Sequence, residues 1–280
     1  MPIQIELEYR TVQCRHCHST DVSKVGFHKN IQYYICNVCK KKSSGTDSYP
    51  QMRYPKELIY RGITLYYNGA SYGAIANTFD DVVGKRPSKS TLFNWIHKYT
   101  SLVSDYIDTL RPQVGEYWQA DETVIDMGKK QVWFWDLIDS ETRYLLSSHM
   151  SKTRTMEDCI KFLRRARDRT NTWPQEIRTD KMMAYPGAFN KVFWKTPKEF
   201  RVEHTRSHGM RDEATNINLI ERFHGSVKQR TKVMRDLKDF DTAWTILDGF
   251  VINYNFLHEH SALGVVPAKA AGILPVGLKN

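Results

Sequence analysis

Three carboxylates in this chain, Asp121, Asp180 and Glu221, fall where three different elements should bring them to the rim of one sheet. Asp121 lies in the apolar and aromatic stretch YWQADETVI, Asp180 closes the short strand-like run EIRTD, and Glu221 sits in the long basic helical pattern NINLIERFHGSVKQRTKVMRDLK. Three convergent hard oxygen ligands suit a pair of Mg²⁺ ions, and such pairs cut or join phosphodiesters. Alternation along the first strand puts Trp118, Ala120 and Glu122 on one face and Gln119, Asp121 and Thr123 on the other, so only one of Asp121 and Glu122 is expected in a given site. Asp180 precedes KMMAYPG, a strand-to-helix loop of the kind in which open α/β sheets place ligands.

On the helical pattern, Glu221, Gly225, Lys228, Lys232 and Arg235 share one stripe, while Ile220, Phe223, Val227 and Met234 form the opposite one. One face packs, and the other carries a carboxylate followed by cations. Arg222, Lys228, Arg230, Lys232 and Arg235 are the expected phosphate contacts, and Asn216 is a candidate helix cap. Glu213, the nearest rival third acid, sits in a polar loop before the pattern begins. For His224, three residues after Glu221, contact with a phosphate or a metal-bound water and a structural role stay equally open. Taken singly, each acid has an ordinary surface or capping reading; their joint order argues for chemistry.

A second constellation is thiolate. Cys14-Arg15-His16-Cys17 and Cys36-Asn37-Val38-Cys39 are CxxC knuckles with 18 residues between them, the spacing at which two hairpin tips hold one tetrahedral Zn²⁺. So small a unit lacks the core to fold alone, and the metal supplies much of its folding free energy. With four thiolates in place, His16 and His18 are expected to be exposed. Lys24, Lys29, Lys40, Lys41 and Lys42 suit phosphate contact or a solvated face. Cys159, in TMEDCIKFLRRA, reads as a small buried hydrophobe.

The elements that must carry these groups fall into segments. Residues 1–48 form the zinc ribbon, ending in the loop KKSSGTDSYPQ. Residues 55–112 read as three helices, at 56–68, 71–79 and 88–98, with Pro55 at the start of the first, a stop at Asn68-Gly69, and Ser71 and Ser88 as caps. Their sizes match a helix-turn-helix, whose third helix would offer Lys89, Ser90, Thr91, Asn94 and Lys98 to a major groove; a plain three-helix linker is the alternative. From 113 to 262, YWQADETVI, QVWFWDLID and RYLLSSHM read as an antiparallel meander, followed by alternating helices and strands of an α/β domain. Trp118, Trp133, Trp135 and Trp244 read as core rather than as base-stacking platforms. Residues 263–280 form a tail.

The chain has 280 residues, 41 Lys and Arg against 31 Asp and Glu, and a formal net charge of +10. The excess is spread over every segment, which favours a polyanionic partner and no polybasic tail. With no long apolar run and no leader pattern, neither a membrane span nor a signal peptide is expected, and a cytoplasmic location follows. Cysteines in CxxC pairs fit that compartment better than a disulfide framework does.

The order strand-Asp, strand-Asp, helix-Glu, with the strings ADET, TDKMMAYP, NLIERFHGSVKQR and the closing HSALGVVPAKAAGI, resembles the DDE transposases of bacterial and archaeal insertion sequences. The resemblance is strongest over residues 115–275, and that group also uses an upstream zinc ribbon and helix-turn-helix. It implies an RNase H-like, retroviral-integrase-like core: a mixed five-stranded sheet with flanking helices. It also implies two Mg²⁺ (or Mn²⁺) ions held by Asp121, Asp180 and Glu221, one activating water and then a DNA 3′-hydroxyl, the other stabilising the leaving oxygen. The implied partners are double-stranded DNA, as terminal inverted repeats and as target, with the protein a homodimer or higher oligomer on it, because pairing two ends needs two active sites. The interval from Asp180 to Glu221 is a little longer than the commonest in the group, and the extra residues are assigned to the loop SHGMRDEATN. The expected activity is cleavage at transposon ends and transfer of the 3′-hydroxyls; the alternatives are a catalytically silent DNA-binding regulator and an RNase H-like nuclease or resolvase.

Overall fold

The computed structural model describes residues 12–17, 19–28, 31–44, 54–128, 130–170, 172–194, 201–208, 215–234, 237 and 239–273. Of the positions singled out above, His18, Lys29, Glu213 and Arg235 lie outside the described residues, as does most of the KKSSGTDSYPQ loop. The chain divides into two compact units, Met1–Arg61 and Gly62–Asn280.

The first unit contains an antiparallel three-stranded sheet, β1 (Val22–His28), β2 (Ile31–Cys36) and β3 (Lys42–Ser44), in that order. The β1–β2 register slips between Lys24 and Gly26, where Gly26 takes φ +132°, a conformation open to glycine. Helix α1 (Lys56–Tyr67) spans the division between the units.

In the second unit, α2 (Tyr72–Val83) is capped by Ser71, whose Oγ accepts the Ala74 amide at 3.1 Å, and α3 (Lys89–Ile107) by Ser88, whose Oγ accepts the Thr91 amide at 3.1 Å. Both caps are as expected, but both helices outrun their expected ends. Asp80, Asp81, Val82 and Val83 continue α2 until Gly84 terminates it in the left-handed region at φ 61°. The α3 face of Leu92, Trp95 and Ile96 continues through buried Thr100 and Ile107, because this half of the helix packs on α7 (Phe240–Phe256). Arg169 donates to the Ile107 carbonyl at 3.3 Å, and Arg165 pairs with Asp108 at 2.8 Å, tying the end of α3 to the helix that follows the meander.

That meander is β4 (Tyr117–Met127), β5 (Lys130–Asp139) and β6 (Leu145–Ser151), antiparallel throughout. After α4 (Met156–Arg169) the chain adds β7 (Glu176–Thr179), parallel to β4; after α5 (Ala184–Phe193) it adds β8 (Glu203–Arg206), parallel to β7. The order β6-β5-β4-β7-β8 is the mixed five-stranded, RNase H-like sheet. β4 is buried on both faces. Trp118, Ala120 and Trp135 join Cys159, Phe162 and Leu163 of α4 and Tyr185 and Ala188 of α5 in one core, while α6 (Asn218–Thr231) lies against the other side of β4. Cys159, Trp118 and Trp135 are buried as expected; Trp133 and Trp244 are partly buried. The segment read as a tail contributes α8 (Pro267–Ala270), and Ala268, Ala271 and Ile273 belong to the core. No helix among the described residues is long and apolar enough to cross a membrane.

Candidate active site

Asp121 and Asp180 meet through strand register. β4 and β7 run parallel with Gln119 opposite Arg178, so two residues further on Asp121, still inside β4, comes level with Asp180, the first residue past the end of β7. Asp180 is held there by the Met182 amide, which donates to its Oδ1 at 2.9 Å. Burial first, and then the charge of Asp121, raise the Asp180 carboxyl above its usual range, partly offset by the Met182 amide.

Glu221 arrives in the first turn of α6, exposed. The start of that helix is fixed from β4: the Leu219 amide donates to Gln119 Oε1 at 3.1 Å, while the Asn216 side chain accepts the Asn218 amide at 3.3 Å. Burial and then Asp121 raise the Glu221 carboxyl. Carboxylates gathered this way form a place for a cation. Among the described residues, the oxygen group within 4.8 Å joins Asp121, Glu122 and Asp180, and Glu221 is not part of it. This donor set of carboxylate oxygens fits Mg²⁺ or Mn²⁺.

The presence of Glu122 departs from the alternation reading. Its backbone does face away from Asp121 and its side chain is buried, but its carboxylate reaches the same oxygen group. There it is already satisfied. Arg154 donates from Nε at 2.7 Å and from Nη2 to Oε1, and the Tyr185 hydroxyl donates to Oε2 at 2.6 Å. Arg154 also lies 3.6 Å from Asp180 and stacks 4.6 Å from the Trp133 ring centroid. Burial pushes the Glu122 carboxyl up, opposed by the Tyr185 and Arg154 hydrogen bonds.

On the opposite face of β4, His224 contacts Asp121 Oδ2 from Nδ1 at 3.3 Å and Asp136 Oδ2 from Nε2 at 3.0 Å. The Ser148 hydroxyl donates to the other Asp136 oxygen at 2.5 Å. Burial alone would lower the His224 pKa, but the Asp121 and Asp136 hydrogen bonds raise it to about 9. His224 thus bridges the two acids. Nothing local in the sequence marks Ser148, Arg154 or Tyr185 for this site. Only Asp136 carries a signal, as an acid inside the apolar run QVWFWDLID.

The basic stripe is shorter than its pattern. α6 ends at Thr231, with Lys232 at the C-cap, so within the helix the stripe comprises Glu221, Gly225 and Lys228. Arg222, Lys228 and Lys232 are exposed. Arg230 is instead engaged in the fold: its Nη2 donates to the carbonyls of Tyr66 at 3.3 Å and Ala70 at 2.9 Å, and its guanidinium stacks 5.3 Å from the Tyr66 ring centroid. On α3, Lys89, Asn94 and Lys98 are exposed.

In the first unit, the sulfur atoms of Cys14, Cys17, Cys36 and Cys39 lie within 4.8 Å of one another, with Cys14 to Cys39 and Cys17 to Cys36 at 3.5 Å. The His16 amide donates to Cys14 Sγ at 3.4 Å and the Cys39 amide to Cys36 Sγ at 3.5 Å. The His16 amide is the main cause that lowers the Cys14 thiol to about 6. Four thiolate donors so gathered fit a tetrahedral Zn²⁺. His16 is exposed, as expected.

The model of the DDE domain of IS240-type transposases matches residues 115–260, more than half of the chain. The uncharacterized protein MJ0017 of Methanocaldococcus jannaschii is 26% identical over 200 residues, 69% of this chain and 83% of that protein. Among solved structures, the HTLV-2 integrase catalytic core domain in complex with magnesium, in its trimeric form, gives a TM-score of 0.44 at 18% identity. That match covers 57% of this chain and 99% of the integrase domain. The simian T-cell lymphotropic virus intasome in complex with PP2A regulatory subunit B56 gamma gives 0.42 at 14% identity, over 78% of this chain and 76% of the other.

Proposed function

Because the chain belongs to the DDE-domain family of IS240-type transposases, we propose that it cuts DNA at the ends of a mobile element and joins the freed 3′-hydroxyls to target DNA. The observation that carries this reading is the convergence of Asp121 and Asp180 from neighbouring parallel strands, with the helix of Glu221 anchored on the strand of Asp121. Asp121, Asp180 and Glu221 would hold two Mg²⁺ (or Mn²⁺) ions, which supply activation of the attacking hydroxyl and charge stabilisation at the leaving oxygen. Glu122 is kept out of that role by Arg154 and Tyr185. Arg154, partly exposed beside Asp180, offsets the negative charge that a phosphodiester must approach.

Arg222, Lys228 and Lys232 would guide the phosphate backbone along α6, and Lys89, Asn94 and Lys98 would meet the terminal repeat from α3, in a helix-turn-helix spanning residues 55–112. The ribbon of residues 1–48, closed by Zn²⁺, would add a further DNA contact, and residues 113–262 form the catalytic domain. Joining two ends requires at least two active sites, so the working form is a homodimer or larger assembly on DNA, in the nucleoid of a prokaryotic cytoplasm.

The test is incubation of the purified protein with duplexes bearing the element's terminal repeats, a target plasmid and Mg²⁺. Strand-transfer products from the wild type and none from Asp121→Asn are expected. Repeat binding without metal-dependent cleavage would instead mark a silent regulator, and cleavage of branched or hybrid substrates without joining a nuclease or resolvase.

A further inference from the structure

Asp121 and Asp136 stand directly opposite each other in the antiparallel register of β4 and β5. Two acids so placed repel, and an alanine pair would be the more stable neighbour. Asp136 is wholly buried and cannot turn its charge to water. The side chain that resolves the conflict comes from a third element. His224 of α6 reaches Asp121 with Nδ1 and Asp136 with Nε2, and Ser148 of β6 holds the far oxygen of Asp136. Serine, aspartate, histidine and aspartate thus form one continuous line from β6 through β5 and α6 to a candidate metal ligand on β4.

His224 follows Glu221 by three residues, less than one helical turn. Five residues before His224, the Leu219 amide is fixed to Gln119, which lies two residues before Asp121 on the same face of β4. Contacts at positions 219 and 224 therefore bracket Glu221 and fix the rotation and rise of α6 over Asp121. With both ring nitrogens engaged and the side chain 5% exposed, His224 has no free atom to offer a substrate.

We infer that His224, backed by Asp136, is a positioning residue that fixes the Asp121 carboxylate and the register of the Glu221 helix for divalent-metal binding. This rests on reading Asp121, Asp180 and Glu221 as the metal site. Hydrogen-bonded partners behind a ligand carboxylate set its orientation, and losing one weakens metal binding by about 10–100-fold.

Two substitutions separate positioning from mere packing. An asparagine amide reaches about as far as Nδ1 and keeps a donor for Asp121; a glutamine amide reaches about as far as Nε2 and keeps only the Asp136 side. Mn²⁺ titration of the full-length protein, followed by electron paramagnetic resonance with far-UV circular dichroism as a check on folding, reads the difference. His224→Gln is expected to bind Mn²⁺ about 10–100-fold more weakly than wild type, and His224→Asn to stay within about threefold. Asp136→Asn, which keeps the ring but removes the acid behind it, is expected to fall between them and serves if a His224 variant fails to fold. Wild-type affinity in His224→Gln, equal losses in both His224 variants, or wild-type affinity in Asp136→Asn would overturn the inference alone. Mn²⁺ binding that Asp121→Asn leaves intact would overturn the metal-site reading beneath it, and the inference with it.

Discussion

Arg154 is ion-paired to the buried carboxylate of Glu122 while its guanidinium lies 3.6 Å from Asp180. One arginine therefore contacts two acids that share an oxygen cluster, Glu122 closely and Asp180 more loosely. Arg154→Ala would leave the Glu122 charge buried with only Tyr185 as partner. The expected loss is about 3 kcal/mol, the low end for a broken buried pair, because Arg154 is 38% exposed and water screens part of the interaction. Adding Glu122→Gln should recover part of that loss, since a neutral amide needs no counter-ion. Urea unfolding of both single variants and the double variant measures the coupling, and strictly additive losses would contradict the pairing.

The start of α4 carries an acid with the opposite behaviour. Asp158 accepts hydrogen bonds from the Thr153 and Thr155 hydroxyls, both at 2.7 Å, and from the Thr155 amide at 3.1 Å. Burial pushes its carboxyl up, but these bonds outweigh burial and hold it below the ordinary aspartate value. A depressed folded-state pKa adds stability that is present above the unfolded value of about 3.9 and lost as pH falls through the folded one. Asp158→Asn should therefore flatten the acid limb of a urea-midpoint profile below about pH 4, and lower stability at neutral pH by about 1 kcal/mol through the weakened capping box. An unchanged acid limb would remove Asp158 from the account.

If the four thiolates hold Zn²⁺, metal removal acts on the first unit alone. A strong chelator at mildly acidic pH should collapse the amide dispersion of Val22–Cys36 in NMR spectra, while amides of β4 to β8 keep theirs. Cys17→Ser should do the same without chelator. Retained dispersion after zinc is lost would mean that the three-stranded sheet is held by its own contacts.

What the sequence reveals follows from how local each signal is. The two CxxC knuckles, the Ser71 and Ser88 caps and the period-2 meander are encoded within a few residues, and all are legible. Asp121, Asp180 and Glu221 can be picked out because each sits in an element of distinct pattern. Their support cannot. Arg154, Tyr185 and Ser148 reach the site from β6, α4 and α5 and their flanking loops, so their roles exist only after the sheet has assembled. Glu122 shows the limit of alternation, which fixes the face from which a strand residue starts but not how far a long side chain reaches. The helix ends fail for a related reason: α3 runs past its expected stop because its second half packs on α7, a tertiary fact.

The same distinction separates two cations of α6 that both read from the sequence as phosphate contacts. Lys228 is exposed two turns beyond Glu221, whereas Arg230 is bound to the Tyr66 and Ala70 carbonyls. If Lys228 meets a phosphate, Lys228→Ala should weaken binding to all duplexes alike and reduce the slope of log affinity against log salt by about 1, the release of one counter-ion. Arg230→Ala should leave that slope unchanged. It should instead lower the unfolding midpoint, at a cost of about 1–3 kcal/mol, because two carbonyls lose a charged donor. Fluorescence anisotropy over a salt series, paired with thermal unfolding of each variant, separates the two. A salt-slope change in Arg230→Ala, or none in Lys228→Ala, would reverse the roles assigned to them.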